Sequence, residues 1–508
     1  MEKLRLRFAP SPTGALHIGG VRTALYNYLL AKKHGGAFIL RIEDTDQNRF
    51  VPGAEAYIKE ALEWFGLTPD EGPGYGGSYG PYRQSERREF YQKYTTQLLE
   101  DGQAYYAFDT PDELAACREE NPNFKYDSSV RMRMRNSLAL PKKEVERLLS
   151  AGEGYVVRLK VPENETVRIE DKIRGQVAFD SNELDDKVLL KADGLPTYHM
   201  ANVVDDHLME ITHVIRGEEW LSSTAHHVLL YRALGWEGQM PEFAHLPLIL
   251  RPDGKGKLSK RDGSRYGFPV FPLSWEGKTE EDSFIGFREF GFLPEAGINF
   301  LALLGWNPGT EQEIFSLEEL VEAFSVERIN KSGTRFDIDK AKWFNQQYII
   351  KADAGYLLEK VRPVIAAQGH EPTDAFLRGF IELMRERAVI LDDFWENGYF
   401  FFEEPREYDE KVIRKRWAPE RKSLFDALIG ELDGLGSYTA ESIKARTEAF
   451  INDNGLKFGE VLPMLRLGVA GTMKGPAIFE MMELLGKQEV SRRLGKAFAQ
   501  FNQLAESK

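Results

Sequence analysis

The 508-residue chain is 42% hydrophobic, enough for several cores, and typical domain sizes divide it into roughly three to five units. Its 66 Lys and Arg against 80 Asp and Glu leave a formal charge of −14, which excludes nucleic-acid binding through overall attraction and leaves only a local basic face. Cys117 is the only cysteine, so no internal disulfide and no multi-cysteine zinc site can form. With no apolar run near the roughly 20 residues that span a bilayer, and no apolar leader core in "MEKLRLRFAPSP", a cytoplasmic protein is expected.

Leu4 to Phe8 alternates apolar and charged side chains, as a short strand does, and Pro10 and Pro12 stop any further ladder. Apolar residues at Ile18, Val21, Leu25 and Leu29 then give the period of an amphipathic helix, which ends in the cations and glycines of "KKHGG". "AFILRI" (37–42) is a continuous apolar run of strand length. Strand, helix and parallel strand open a nucleotide-binding α/β sheet, whose ligands sit beyond the carboxyl ends of the strands. Both chemically distinctive stretches fall there: "APSPTGALHIGG" after the first strand and "EDTD" after the second.

At the helix start, free N–H groups and the helix dipole favour an anion. Gly19 and Gly20 allow close backbone approach and His17 can donate to a phosphate oxygen, which together suit ATP. A glycine-rich turn with a surface histidine is the plainer reading of the same residues. In "EDTD", Glu43 either caps the turn at Asp44 and Asp46 or joins them in a Mg²⁺ cage. Further on, "SSVRMRMRNSLALPKK" puts Arg131, Arg133 and Arg135 on one face if extended, a phosphate-contacting edge or simply an exposed strand.

Arg216 closes the apolar run of "HVIRGEEWL", a position that calls for a partner. "HLPLIL" (245–250) reads as another strand, followed by "RPDGKGKLSKR", a glycine-loosened basic loop that ends in Lys257, Ser259, Lys260 and Arg261. Such a loop either closes on polyphosphate or is a solvated face. Ser264 to Phe284 is rich in Phe, Pro and Gly, an aromatic flap expected to pack near that loop, and from about Gln347 the pattern is helical.

His17-Ile18-Gly19-Gly20 and Lys257-Leu258-Ser259-Lys260-Arg261 resemble the HIGH and KMSKS signatures of class I aminoacyl-tRNA synthetases. Within that class, four blocks are similar to the bacterial glutamate–tRNA ligases, and the similarity covers nearly the whole chain. They are the stretch from Arg7 to Asp46, "GPYRQSERREFYQKY", the stretch from Gly194 to Trp236, and "LRLGVAGTMKGPAIFEMMELLGK". The resemblance implies an α/β fold: a Rossmann-like catalytic domain in two halves (1–84 and 191–262), interrupted by an α+β domain for the tRNA acceptor end (85–190). A stem-contact region with an insertion (263–346) and two all-α anticodon-binding bundles (347–508) would follow.

The same resemblance implies that Pro10, His17, Gly19, Gly20, Leu258, Ser259 and Lys260 bind ATP, with His17, Lys257 and Lys260 catalytic. Arg7, Tyr198 and Arg216 would hold the side-chain carboxylate of glutamate and Glu43 its amino group, with Ser11 and Asn202 beside them. The charge logic agrees, since a dianionic amino acid with one ammonium needs forked arginines and one acid. Arg387 matches the arginine that reads the last anticodon base. The implied cofactor is ATP with Mg²⁺, without zinc or another resident metal; the implied partners are L-glutamate and glutamate tRNA, with no membrane, for a monomer. The implied reaction runs through glutamyl-adenylate. A non-discriminating form that also loads glutamine tRNA, and an inactive tRNA-binding regulator, are the alternatives.

Overall fold

Arg5–Phe8 (β1) lies parallel to Ala37–Leu40 (β2), with Arg5 opposite Ala37, and the Ile18–Lys33 helix crosses between them as the apolar period predicts. These strands belong to a computed structural model that describes residues 3–277 and 279–506; Met1 and Glu2 of the leader reading, and Lys278 of the Ser264–Phe284 segment, lie outside the described residues. The chain divides into two units, residues 1–289 with 294–338, and residues 290–293 with 339–508.

In the first unit, Ala104–Ala107 (β3), Val156–Leu159 (β4) and Val188–Leu190 (β7) form a small antiparallel sheet. Thr166–Asp171 (β5) and Gly175–Asp180 (β6) fall in the same stretch of sequence but join the main sheet. That sheet is completed by His213–Gly217 (β8) and Glu242–Leu246 (β9), in the order β2-β1-β8-β9-β5-β6, parallel throughout except for β6. Its buried apolar faces are covered by the Ile18–Lys33, Tyr198–Leu208 and Leu221–Ala233 helices.

Two expectations are corrected here. The predicted strand 245–250 is two strands: β9 ends at Leu246, and Ile249–Leu250 (β10) pairs instead with Thr334–Arg335 (β11). Pro247 supplies no amide to a ladder, so the run breaks there although it stays apolar. Arg131, Arg133 and Arg135 do not share an extended face. The Asp127 side chain accepts from the Ser129 amide and caps the short Ser128–Arg131 helix. This turns Arg131 inward to the Val161 carbonyl and Asp186, while Arg135 pairs with Glu153.

The second unit is helical, as the sequence pattern from about 347 predicts, beginning with Ile338–Lys351 at the boundary. One aromatic cluster gathers Phe380, Phe394, Phe401 and Phe402; another gathers Trp417, Phe425, Phe498 and Phe501. Among the described residues, no helix is long and apolar enough to cross a membrane.

Candidate active site

A cleft of about 640 Å³ opens beyond the carboxyl ends of β1 and β8, and it brings together residues from opposite ends of the first unit's sequence. Arg7, Pro10, Ser11, His17, Gly19, Gly20, Glu43, Tyr198, Asn202, Arg216, Lys257, Leu258, Ser259 and Lys260 all line it. Arg387 belongs to the second unit, exposed in the turn after the Asp374–Met384 helix.

His17 caps its helix: Nδ1 accepts from the Gly19 amide at 3.1 Å, so the neutral ring carries its proton on Nε2. Desolvation first, then the nearby charges of Lys260 and Lys257, hold its pKa down at about 4. Phe271 stands edge-on to the ring at 5.7 Å. The expectation of free N–H groups at this helix start is corrected. Ile18 donates to the Val270 carbonyl at 3.0 Å, Gly19 to His17 Nδ1, and Gly20 and Val21 to the His17 carbonyl at 2.8 and 3.2 Å. What remains for an anion is the dipole and the donors of His17 and Lys260. Gly20 answers to packing as well, since a Cβ there would lie 2.4 Å from Leu16 Cδ1.

The "EDTD" carboxylates are engaged separately. Glu43 turns to Arg41, Asp44 accepts from the Ser85 amide and hydroxyl, and Asp46 pairs with Arg49. No group of three His, Cys, Asp or Glu among the described residues could hold a metal ion.

The basic loop is anchored at its ends. Leu258 is buried, and the Ser259 amide and hydroxyl both donate to Asp262, at 2.7 and 2.6 Å. Lys257 pairs with Glu219 across the cleft mouth at 3.1 Å. Among the described residues, Lys260 has no carboxylate partner; its Nζ lies 6.0 Å from the Phe271 ring and close to Gly14. The Ser264–Phe284 segment is therefore an aromatic layer beside this loop. Phe271 stacks on Phe284 at 3.5 Å, and the Leu273 carbonyl accepts from the Tyr57 hydroxyl at 2.5 Å.

Deeper in the cleft, Arg7 donates to both Asp206 oxygens, at 3.0 and 3.2 Å, and Arg41 donates to Asp206 at 2.7 Å and to Glu43 at 3.1 Å. Asn202 donates to the same Glu43 oxygen, Oε1, at 3.1 Å. Burial pushes the Glu43 carboxyl up, against the pull of Arg41 and Arg7. Asp206 is held low by those two arginines despite its burial. Neither Arg41 nor Asp206 is among the residues singled out from sequence. An arginine closing the apolar run "AFILRI", and two acids on the apolar face of "NVVDDHL", are the signals that mark them.

Arg216 is different. It is buried, yet its partners are all neutral: Tyr198 Oη at 2.7 Å, Thr224 Oγ1 at 2.7 Å, His245 Nε2 at 3.1 Å and the Trp220 carbonyl at 3.4 Å. Arg7 and Arg41 face Asp206 and Glu43, whereas Arg216 forms no ion pair with a carboxylate among the described residues. Such a floor takes an anion with a fork of donors and excludes a neutral or cationic group.

Residues 3–343 match the family described as tRNA synthetases class I (E and Q), catalytic domain, and residues 356–498 match an anticodon binding domain. The glutamate–tRNA ligases of Porphyromonas gingivalis and Phocaeicola vulgatus are 56% and 55% identical to this chain, each comparison covering 98% of both sequences. The crystal structure of a glutamate tRNA ligase from Elizabethkingia meningosepticum in complex with its amino acid superposes with a TM-score of 0.95 at 50% identity, over 98% of this chain and 99% of that one. With this agreement over its whole length, the chain belongs to the glutamate–tRNA ligases, class I aminoacyl-tRNA synthetases with an α/β catalytic domain and an all-helical anticodon-binding region.

Proposed function

We propose that the cleft activates L-glutamate with ATP, as glutamyl-adenylate, and passes the glutamyl group to the 3′ end of glutamate tRNA. The observation that supports this is Arg216, a buried cation without a carboxylate partner among the described residues, in the same cleft as His17 and the KLSKR loop. Arg216, Tyr198 and Arg7 receive the side-chain carboxylate; Glu43, steadied by Asn202, takes the ammonium, with Ser11 at the rim. The Elizabethkingia ligase was crystallised with its amino acid, and its close superposition supports placing the same ligand here.

ATP, arriving with Mg²⁺ as its counterion, lies over Pro10, Gly19 and Gly20. The Nε2–H of His17 and the ammonium of Lys260 face its phosphates, while Lys257, Leu258 and Ser259 carry the loop against it. The α-carboxylate of glutamate attacks the α-phosphorus and pyrophosphate leaves; the terminal ribose hydroxyl of tRNA then attacks the acyl carbon and AMP leaves. No side chain serves as nucleophile, so positioning and charge supply the acceleration. Residues 85–190 hold the acceptor end, 263–346 the stem and 347–508 the anticodon, where Arg387 reads the last base and rejects glutamine tRNA.

Aminoacylation with labelled glutamate, run in parallel on glutamate and glutamine tRNA, tests this. Charging of the first alone is expected. Charging of both keeps the chemistry and removes the role of Arg387; charging of neither, with tRNA still bound, points to a regulator. Arg216→Gln abolishes glutamate use and spares tRNA binding, and Lys260→Ala slows activation with little change in glutamate affinity; normal glutamylation by Arg216→Gln removes the pocket assignment.

A further inference from the structure

We propose that Asp171 and His245 are positioning residues of this pocket, which fix the fork of Arg216 through one imidazole tautomer without cancelling its charge. In the parallel register of β8 and β9, Arg216 stands directly opposite His245. Its Nε donates to His245 Nε2 at 3.1 Å, so that nitrogen presents a lone pair. On the other side of the ring, Nδ1 lies 2.6 Å from Asp171 Oδ2, with both side chains fully buried.

Asp171 can only accept there. Its Oδ1 takes the Ile173 and Arg174 amides at 3.0 and 2.8 Å, and its Oδ2 takes the His245 amide at 3.1 Å as well as the ring. A carboxylate that already accepts three backbone amides is held ionised, so the ring nitrogen beside it, Nδ1, carries the proton. A second ring proton, or the opposite tautomer, would set Nε2–H against the N–H of Arg216 and turn it to the Thr224 hydroxyl, 3.1 Å away, at the cost of the Arg216 bond. β5 and β9 hold this chain in place from the sheet itself, since Asp171 closes β5 beside Phe243.

The consequence concerns charge. An acid in direct contact with Arg216 would offset part of the positive charge that the glutamate carboxylate must meet there. Placing the acid one imidazole away delivers a lone pair to Nε and leaves Nη1 and Nη2 aimed by Tyr198 and Thr224.

The proposal rests on the glutamate reading of the cleft, so three variants are compared by steady-state kinetics. His245→Asn keeps a donor for Asp171 and removes the acceptor for Arg216; the KM for glutamate rises about tenfold or more, with the KM for ATP unchanged. His245→Gln places an amide oxygen near the former Nε2 and restores the glutamate KM to within about threefold. Equal rises in both KM values, or an unaltered glutamate KM in His245→Asn, overturn the relay. Arg216→Gln with normal glutamate KM removes the underlying reading instead. If the His245 variants do not fold, ¹⁵N-histidine spectra of the intact protein decide: a proton on Nδ1 supports the relay and a proton on Nε2 overturns it.

Discussion

The Ile18 amide donates to the Val270 carbonyl at 3.0 Å, which ties the first residue of the helix after His17 to the Ser264–Phe284 segment. The next residue of that segment, Phe271, is edge-on to the His17 ring. The segment thus packs against the start of the helix that His17 caps. Phe271→Ala removes a side chain that is 1% exposed, at about 3–5 kcal/mol for a core phenylalanine. The expected outcome is a lower urea midpoint together with a raised KM for ATP and an unchanged KM for glutamate. Equal effects on both substrates would reduce the Phe271–His17 contact to general packing.

His17 gives the site a pH signature. Its folded pKa of about 4 lies below its ordinary value of 6.5, so between those values the unfolded chain binds a proton that the folded chain refuses. Stability from this group is complete above pH 6.5 and is lost as pH falls toward 4. His17→Asn keeps a capping oxygen and removes the titration. Acidification through that window is therefore expected to cost the wild type more stability than the variant, measured as the change in urea midpoint. An identical acid slope in both proteins would show that His17 is not desolvated.

Asp206 carries two buried arginines at once, Arg7 and Arg41. Asp206→Asn takes the paired carboxylate from Arg7 and leaves Arg41 with Glu43 alone, a loss of about 3–5 kcal/mol by the usual cost of breaking a buried pair. Equilibrium denaturation measures it. Asp206→Asn with Arg7→Met in the same chain is expected to recover part of the loss, because the cation left without its carboxylate is gone. No recovery would place the cost in packing.

The helix from Ile18, the parallel pairing of β1 with β2 and the need of Arg216 for a partner were all legible, because each is written in a local run of residues. The Arg7–Asp206–Arg41 network was not, since its members are far apart in sequence and meet only once β1, β2 and the Tyr198–Leu208 helix pack together. The break at Pro247 was hidden by unbroken hydropathy, which does not register a missing amide. The inward turn of Arg131 is hidden in the sequence because the alternation after Asp127 masks the helix cap that Asp127 supplies to the Ser129 amide. The free helix start was misjudged for a different reason: its first amide is taken by Val270, a residue no local pattern connects to it.

Lys257 and Glu219 form an exposed pair, at 56% and 46% exposure, so Glu219→Gln is expected to change global stability by less than about 1 kcal/mol. Its effect lies in the loop. With the pair gone, amides in the 253–258 stretch exchange faster in the protein without ATP, and high salt reproduces the effect in the wild type. Unchanged exchange in Glu219→Gln would mean that Asp262, through Ser259, holds the loop alone.

Arg387 and Arg466 sit near enough in the second unit for the charge of one to lower the pKa of the other, after desolvation of Arg466 itself. Arg466 donates to the Pro476 carbonyl at 2.8 Å, and Arg387 reaches only the Leu383 carbonyl at 3.5 Å, so the exposed Arg387 guanidinium has most of its donors facing water. Two cations that repel one another favour a ligand that is anionic or rich in acceptors. Arg387→Gln is expected to lower kcat/KM for glutamate tRNA by about tenfold or more, the scale of one lost charged base contact, and to narrow its margin over glutamine tRNA. A uniform loss for both tRNAs, with a shallower salt dependence, would make Arg387 a phosphate contact rather than a reader of sequence.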